Sequence, residues 1–125
     1  MVFSQGSKFR VLKGKGVLLS PVVLECLREK STQLANYDPF KADIYAIGMI
    51  LLECCSLRKA ESFYDYDEVK VRSQDIGQTI YDCRRKYSHN LMNIVEKMLE
   101  EDDDDRPTAA QLMDQMQVIS GETIR

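Results

Sequence analysis

The run Lys41-Ala42-Asp43-Ile44-Tyr45-Ala46-Ile47-Gly48-Met49-Ile50-Leu51-Leu52-Glu53 constrains this chain more than any other feature. It is long enough for three helical turns. Its apolar residues do not fall in one stripe: Ile44, Ile47, Met49, Ile50, Leu51 and Leu52 cover most of the circumference of a helix. That distribution marks a helix buried all round, with Ile47, Ile50 and Leu51 as core positions. In a chain of 125 residues such a helix needs most of the other elements wrapped about it. It also puts a carboxylate, Asp43, near the core, where a charged group needs partners.

The elements around it are short and helical. Ser20 is placed to cap a helix whose first position is Pro21, with Val23, Leu24 and Leu27 on one face to about Lys30. Asp38 and Pro39 repeat the same pair of signals at the start of the long helix, which ends near Leu57. Arg58 to Ser73, rich in charge and tyrosine, reads as a surface loop. Ile76, Ile80 and Cys83 predict a helix over about Gln74 to Arg85, weakened by Gly77. Ser88 caps a further helix, started by His89, in which Leu91, Ile94, Val95, Met98 and Leu99 keep helical spacing. Asp102–Asp105 reads as a solvated loop, and a last helix from about Thr108 carries Ala109, Leu112, Met113 and Met116. The expected fold class is all-α, several short helices around one buried helix. The expected organisation is a disordered or extended segment over 1–12, a folded unit over 13–118 and a tail over 119–125.

Composition excludes several classes of function. Hydrophobic residues make up 44%, too many for a disordered chain. The net charge is −3 with no basic block, which argues against nucleic acid or an anionic membrane as partner. The apolar run Ile47–Leu52 is far short of the ~20 residues of a membrane span, and no secretory leader is evident. Cys26, Cys54, Cys55 and Cys83 form no Cys-x-x-Cys pair and there is one histidine, so free core thiols in a reducing cytoplasm are expected and a zinc site is not. If Asp102 opened a calcium loop, Pro107 and Met113 would stand where glycine and glutamate are required. Gly14-Lys15-Gly16 lacks the spacing of a nucleotide loop.

Three segments, in order, resemble the C-terminal lobe of the eukaryotic protein kinase family. Asp43-Ile44-Tyr45-Ala46-Ile47-Gly48 resembles the Asp-x-Trp/Tyr-x-x-Gly that opens the lobe's central helix. Leu18-Leu19-Ser20-Pro21-Val22 resembles the Tyr-Leu-Ser-Pro-Glu that ends the activation segment. Asp105-Arg106-Pro107-Thr108-Ala109 resembles the Arg-Pro-Thr/Ser that opens the last helix. The resemblance spans about Lys13 to Met116 and implies the helical subdomain of a kinase C-lobe. It implies structural roles for Asp43, Gly48, Pro21 and Arg106, with Asp43 holding the catalytic loop's amides. In the family Arg106 pairs with a glutamate where this chain has Val22, and Glu25, one turn on, is the expected substitute. Gly14, Lys15, Gly16, Leu18 and Ser20 fall on the family's substrate-pocket segment, where Lys15 replaces a threonine and Leu18 a tyrosine.

The family's activity is ATP-dependent phosphorylation of protein Ser/Thr residues, which needs a glycine-rich cover, a strand lysine, an orienting aspartate and a magnesium-holding aspartate. None of these motifs occurs in this sequence. The expectation is a chain with no catalytic, cofactor or metal residues of its own, ATP and magnesium belonging to the other part of a parent domain. Its partners are then proteins: the missing kinase half, a protein substrate or an interaction partner. The alternative is a pseudokinase-like, non-enzymatic helical interaction module. Loss of a covering half would leave the helix open near Met49 and Leu52.

Overall fold

The computed structural model describes residues 18–28 and 38–124. The described residues are mostly helical: α1 (Pro21–Arg28), α2 (Pro39–Ser56), α3 (Ser73–Cys83), α4 (His89–Met98) and α5 (Ala109–Ile124). Two 3₁₀ turns, Ala60–Phe63 and Asp103–Asp105, and a two-residue antiparallel pair, β1 (Tyr64–Asp65) with β2 (Lys70–Val71), complete them. The all-α expectation holds at the level of class, and α5 runs on past 118.

The helix starts follow from local chemistry. Ser20 accepts the Val23 N–H at 3.4 Å, and Pro21 follows at the first helical position. Asp38 accepts the Phe40 and Lys41 N–H groups at 2.9 and 3.2 Å. Ser88 accepts the Leu91 N–H at 3.2 Å, with His89 opening α4. Each cap satisfies amides that have no partner inside the helix. At the other end of α2, Leu57 takes a left-handed conformation, φ 61°, and its N–H donates to the Glu53 carbonyl at 2.8 Å. The Glu53 carboxylate accepts the Ala60 N–H at 2.8 Å, so the 3₁₀ turn is hung directly from α2.

The core lies along one side of α2. Tyr45, Met49 and Leu52 are buried there with Leu24, Phe63, Tyr64, Ile76, Ile80, Met92 and Val95. Ile44 packs with Ile94 and Met98, and Leu112 of α5 closes that end. Gly48 sets how near α4 can come. A Cβ placed on it would stand 2.9 Å from the Met98 Cβ and 3.0 Å from Leu99 Cδ2, so the contact admits only a hydrogen.

Three expectations fail here. First, α2 is not buried all round: Ile47 is 46% exposed and Ile50 48%, Leu51 is half-buried, and Asp43 is exposed. Met49 and Leu52, expected to lie open, are wholly buried. The apolar circumference was real, but the described elements cover one side of it only. Second, Arg58 to Ser73 is not a surface loop. Ala60, Phe63, Tyr64, Val69 and Val71 are buried, because the short hairpin folds its side chains back under α2 and α1. Arg58 fixes this corner: its guanidinium grips Asp75 through two hydrogen bonds of 2.9 and 2.7 Å, reaches Thr79 at 3.0 Å and lies 4.5 Å over the Phe63 ring. Third, Asp103 leaves the solvated loop and is buried.

Candidate functional site

The densest polar arrangement joins the start of α2 to the turn before α5. Arg106 is almost fully buried and its guanidinium forms an ion pair with Asp103, three residues back. It also donates to the Lys41 carbonyl at 2.7 Å and the Glu101 carbonyl at 3.3 Å, and lies 5.3 Å over the ring of Tyr45. The other carboxylate oxygen of Asp103 accepts the Asp38 N–H at 3.1 Å. The Lys41 ammonium donates to the carbonyls of Asp103, at 3.2 Å, and Arg106. Two segments remote in sequence, 38–41 and 101–106, therefore satisfy one another's polar groups, as buried charges require. Burial depresses the Arg106 pKa and the charges of Asp103 and Tyr45 oppose it. A guanidinium stays charged at any ordinary pH. Tyr45 is pushed the other way, its hydroxyl held neutral chiefly by burial.

One polar atom in this clasp is left over. Among the described residues, Arg106 Nε–H has no hydrogen-bond partner. The expected substitute, Glu25, does not fill the place: it is exposed, and Asp103 takes the role instead. Asp103 takes the place because the 3₁₀ turn carries its carboxylate straight back to the guanidinium, whereas Glu25 stays exposed on the wall of the neighbouring cleft.

Next to the clasp, α1 and the acidic turn enclose a cleft of about 610 Å³, lined in part by Val22, Glu25, Arg28, Lys70, Glu101 and Asp102. Its charges are mixed, and the Ser73 hydroxyl on its wall donates to Glu101. Among the described residues, its lining holds no histidine and no thiol.

The segment leading into α1 is tied down. Ser20 is buried, Leu18 and Leu19 pack against the core, and the Leu19 carbonyl accepts the Tyr64 hydroxyl at 2.8 Å. Leu18 therefore acts as an apolar anchor. Gly14, Lys15 and Gly16 lie outside the described residues. Pro21 starts α1, and Gly48 is the contact point with α4. Asp43 is exposed, so it needs none of the partners a buried carboxylate would.

The cysteines divide by depth. Cys83 is buried, Cys26 and Cys55 are half-buried and Cys54 is exposed, so the expectation of core thiols fails for Cys54. Burial raises the Cys55 and Cys83 pKa values, which keeps both as unreactive thiols. Among the described residues no helix is long and apolar enough to cross a membrane.

Sequence reasoning missed Asp103 and Lys41 as members of the clasp. The only available signal was an aspartate three residues before a buried arginine. In comparisons with protein-family models, curated proteins and solved structures, nothing matches this chain.

Proposed function

We propose that this chain is a protein-kinase-like C-lobe segment, the helical part that braces a catalytic centre without containing one. The parent activity is ATP-dependent phosphorylation of protein Ser/Thr residues, and the segment alone is inactive. The carrying observation is the leftover Nε–H of the buried Arg106. The kinase resemblance puts a glutamate opposite this arginine at the position of Val22, and here Val22 is half-buried on the wall of the adjoining cleft. An unsatisfied donor beside a lost acceptor is what the resemblance leads one to expect. Gly48 at a close helix contact and Tyr45 beneath the guanidinium support the same reading.

The test is Val22→Glu. In a kinase-like arrangement the new carboxylate reaches Arg106 and raises stability by about 1–3 kcal/mol, the range of a charge-assisted hydrogen bond. In any other arrangement it joins Glu25, Glu101 and Asp102 around the cleft and lowers stability through like-charge repulsion. The sign of the change in chemical denaturation decides. A magnesium–ATP titration of the purified chain should show no binding, and micromolar, magnesium-dependent binding would refute the non-catalytic part.

A second reading, a helical interaction module without a catalytic parent, is favoured by a different observation. The outer face of α2 is apolar and open, with Phe40 79% and Leu57 87% exposed at its two ends.

A further inference from the structure

Tyr45 carries a polar atom that the clasp does not use. The residue is 1% exposed, with Arg106 over the face of its ring. Its hydroxyl makes no hydrogen bond among the described residues. Unlike the Arg106 Nε–H it is not sealed in, because Tyr45 lines a second cleft, of about 160 Å³, between α2, α3 and α4. Gly77 of α3 keeps this space open: a Cβ placed on it would meet nothing within 4 Å. A buried polar group without a partner is costly, and one that opens on a cavity marks where a ligand group can satisfy it.

The rest of the lining divides by character. Val71, Ile76 and Leu99 are buried and apolar, whereas Glu96 and Glu101 are exposed and carry the lining's only charges. Burial chiefly, and the Glu101 charge in addition, keep the Tyr45 hydroxyl protonated, so its oxygen is free to accept. Glu96 also pairs with Arg84 at 3.2 Å, and Glu101 accepts the Ser73 hydroxyl. A carboxylate has about four acceptor sites, so both keep capacity. Apolar walls give water few partners, and at about 30 Å³ per water the space takes roughly five heavy atoms. An anion would meet two carboxylates. An ammonium has three N–H donors and no acceptor, which suits one hydroxyl oxygen and two carboxylates, and a short alkyl stem suits the apolar wall. We propose that this cleft binds a short alkylammonium group, held by Tyr45, Glu96 and Glu101, supplied by a free aliphatic amine or by a lysine side chain. The inference does not rest on the kinase reading.

An NMR titration of the purified, isotope-labelled 125-residue chain with n-butylammonium chloride tests this. Amide shifts should saturate around Gly77 and Leu99, with a dissociation constant on the order of a millimolar, as so few ligand atoms allow. The uncharged n-butanol should bind at least about tenfold more weakly, and butyrate should give no saturating shift. Tyr45→Phe removes only the oxygen and should weaken the amine at least about threefold. Gly77→Leu fills the cleft from an exposed helical position, so it should abolish saturation while keeping the helical circular dichroism. If the leucine variant does not fold, Tyr45→Phe and the butanol control decide. Putrescine and a capped lysine separate the two sources, the tighter binder naming the occupant. Butanol binding as well as the amine overturns the proposal, as do shifts that never saturate. So does binding indifferent to either substitution.

Discussion

Truncating Asp103 to alanine tests whether the clasp holds the two ends of the fold together. The Arg106 side chain is inaccessible to solvent, and Asp103 is its carboxylate partner. Removing that partner leaves a buried guanidinium with two carbonyls, Lys41 at 2.7 Å and Glu101 at 3.3 Å, and the face of Tyr45. The Asp38 N–H loses its acceptor in the same step, at the very start of α2. Breaking a buried ion pair from one side costs about 3–5 kcal/mol. The carbonyls keep part of the charge satisfied, so the lower end, about 3 kcal/mol, is expected. Against a whole-domain stability of about 5–15 kcal/mol that is a large fraction. Urea denaturation should show the midpoint falling with the slope unchanged. A second variant, Asp103→Ala with Arg106→Met, separates the buried charge from lost packing. It should recover much of the loss, because an apolar side chain in place of the pair leaves nothing unpaired. A loss below about 1 kcal/mol in the single variant, or no recovery in the double, would refute the reasoning.

Gly48→Ala should destabilise by about 1–3 kcal/mol, since the new Cβ meets Met98 at 2.9 Å and the helices must part; thermal denaturation reads this directly. Leu57→Gly should stabilise by roughly 0.5–1 kcal/mol, because Leu57 is exposed and holds a positive φ that glycine adopts without strain. On α2, Leu52→Ala should cost about 2–5 kcal/mol, whereas Ile50→Ala should cost under about 1 kcal/mol at low protein concentration; equal losses in denaturant would contradict the one-sided burial. Asp75 supplies a pH signature. Its hydrogen bonds with Arg58 hold its carboxyl below the usual range, so the pair's stabilisation is present above the unfolded carboxylate pKa and is lost as pH falls through the depressed one. Both partners are more than a third exposed, so the effect is at most about 1 kcal/mol, and it should vanish from acid titrations of the Asp75→Asn variant.

The sequence by itself determined the parts of this protein whose causes are local. Ser20, Asp38 and Ser88 start helices because a side-chain oxygen can reach an amide two or three residues on, and that reach depends on nothing distant. The spacing of Ile76, Ile80 and Cys83, and of Ile94, Val95 and Met98, likewise gave the inward faces of α3 and α4. Tertiary structure decided everything that turns on who the neighbours are. The apolar circumference of α2 could not reveal which side would be covered, so Ile47 and Ile50 came out open and Met49 and Leu52 closed. Arg58 to Ser73 carries too little periodicity to announce that Phe63, Tyr64, Val69 and Val71 line the core, because only the return of the hairpin beneath α1 and α2 puts them there. In the acidic run, four aspartates are alike in sequence. Asp103 is singled out because a 3₁₀ turn aims its carboxylate at a guanidinium already buried against Tyr45 and the start of α2. Caps and helical periods are short-range physics that a sequence displays directly. The burial of a charge is a long-range agreement among segments, and it exists only once the chain has folded.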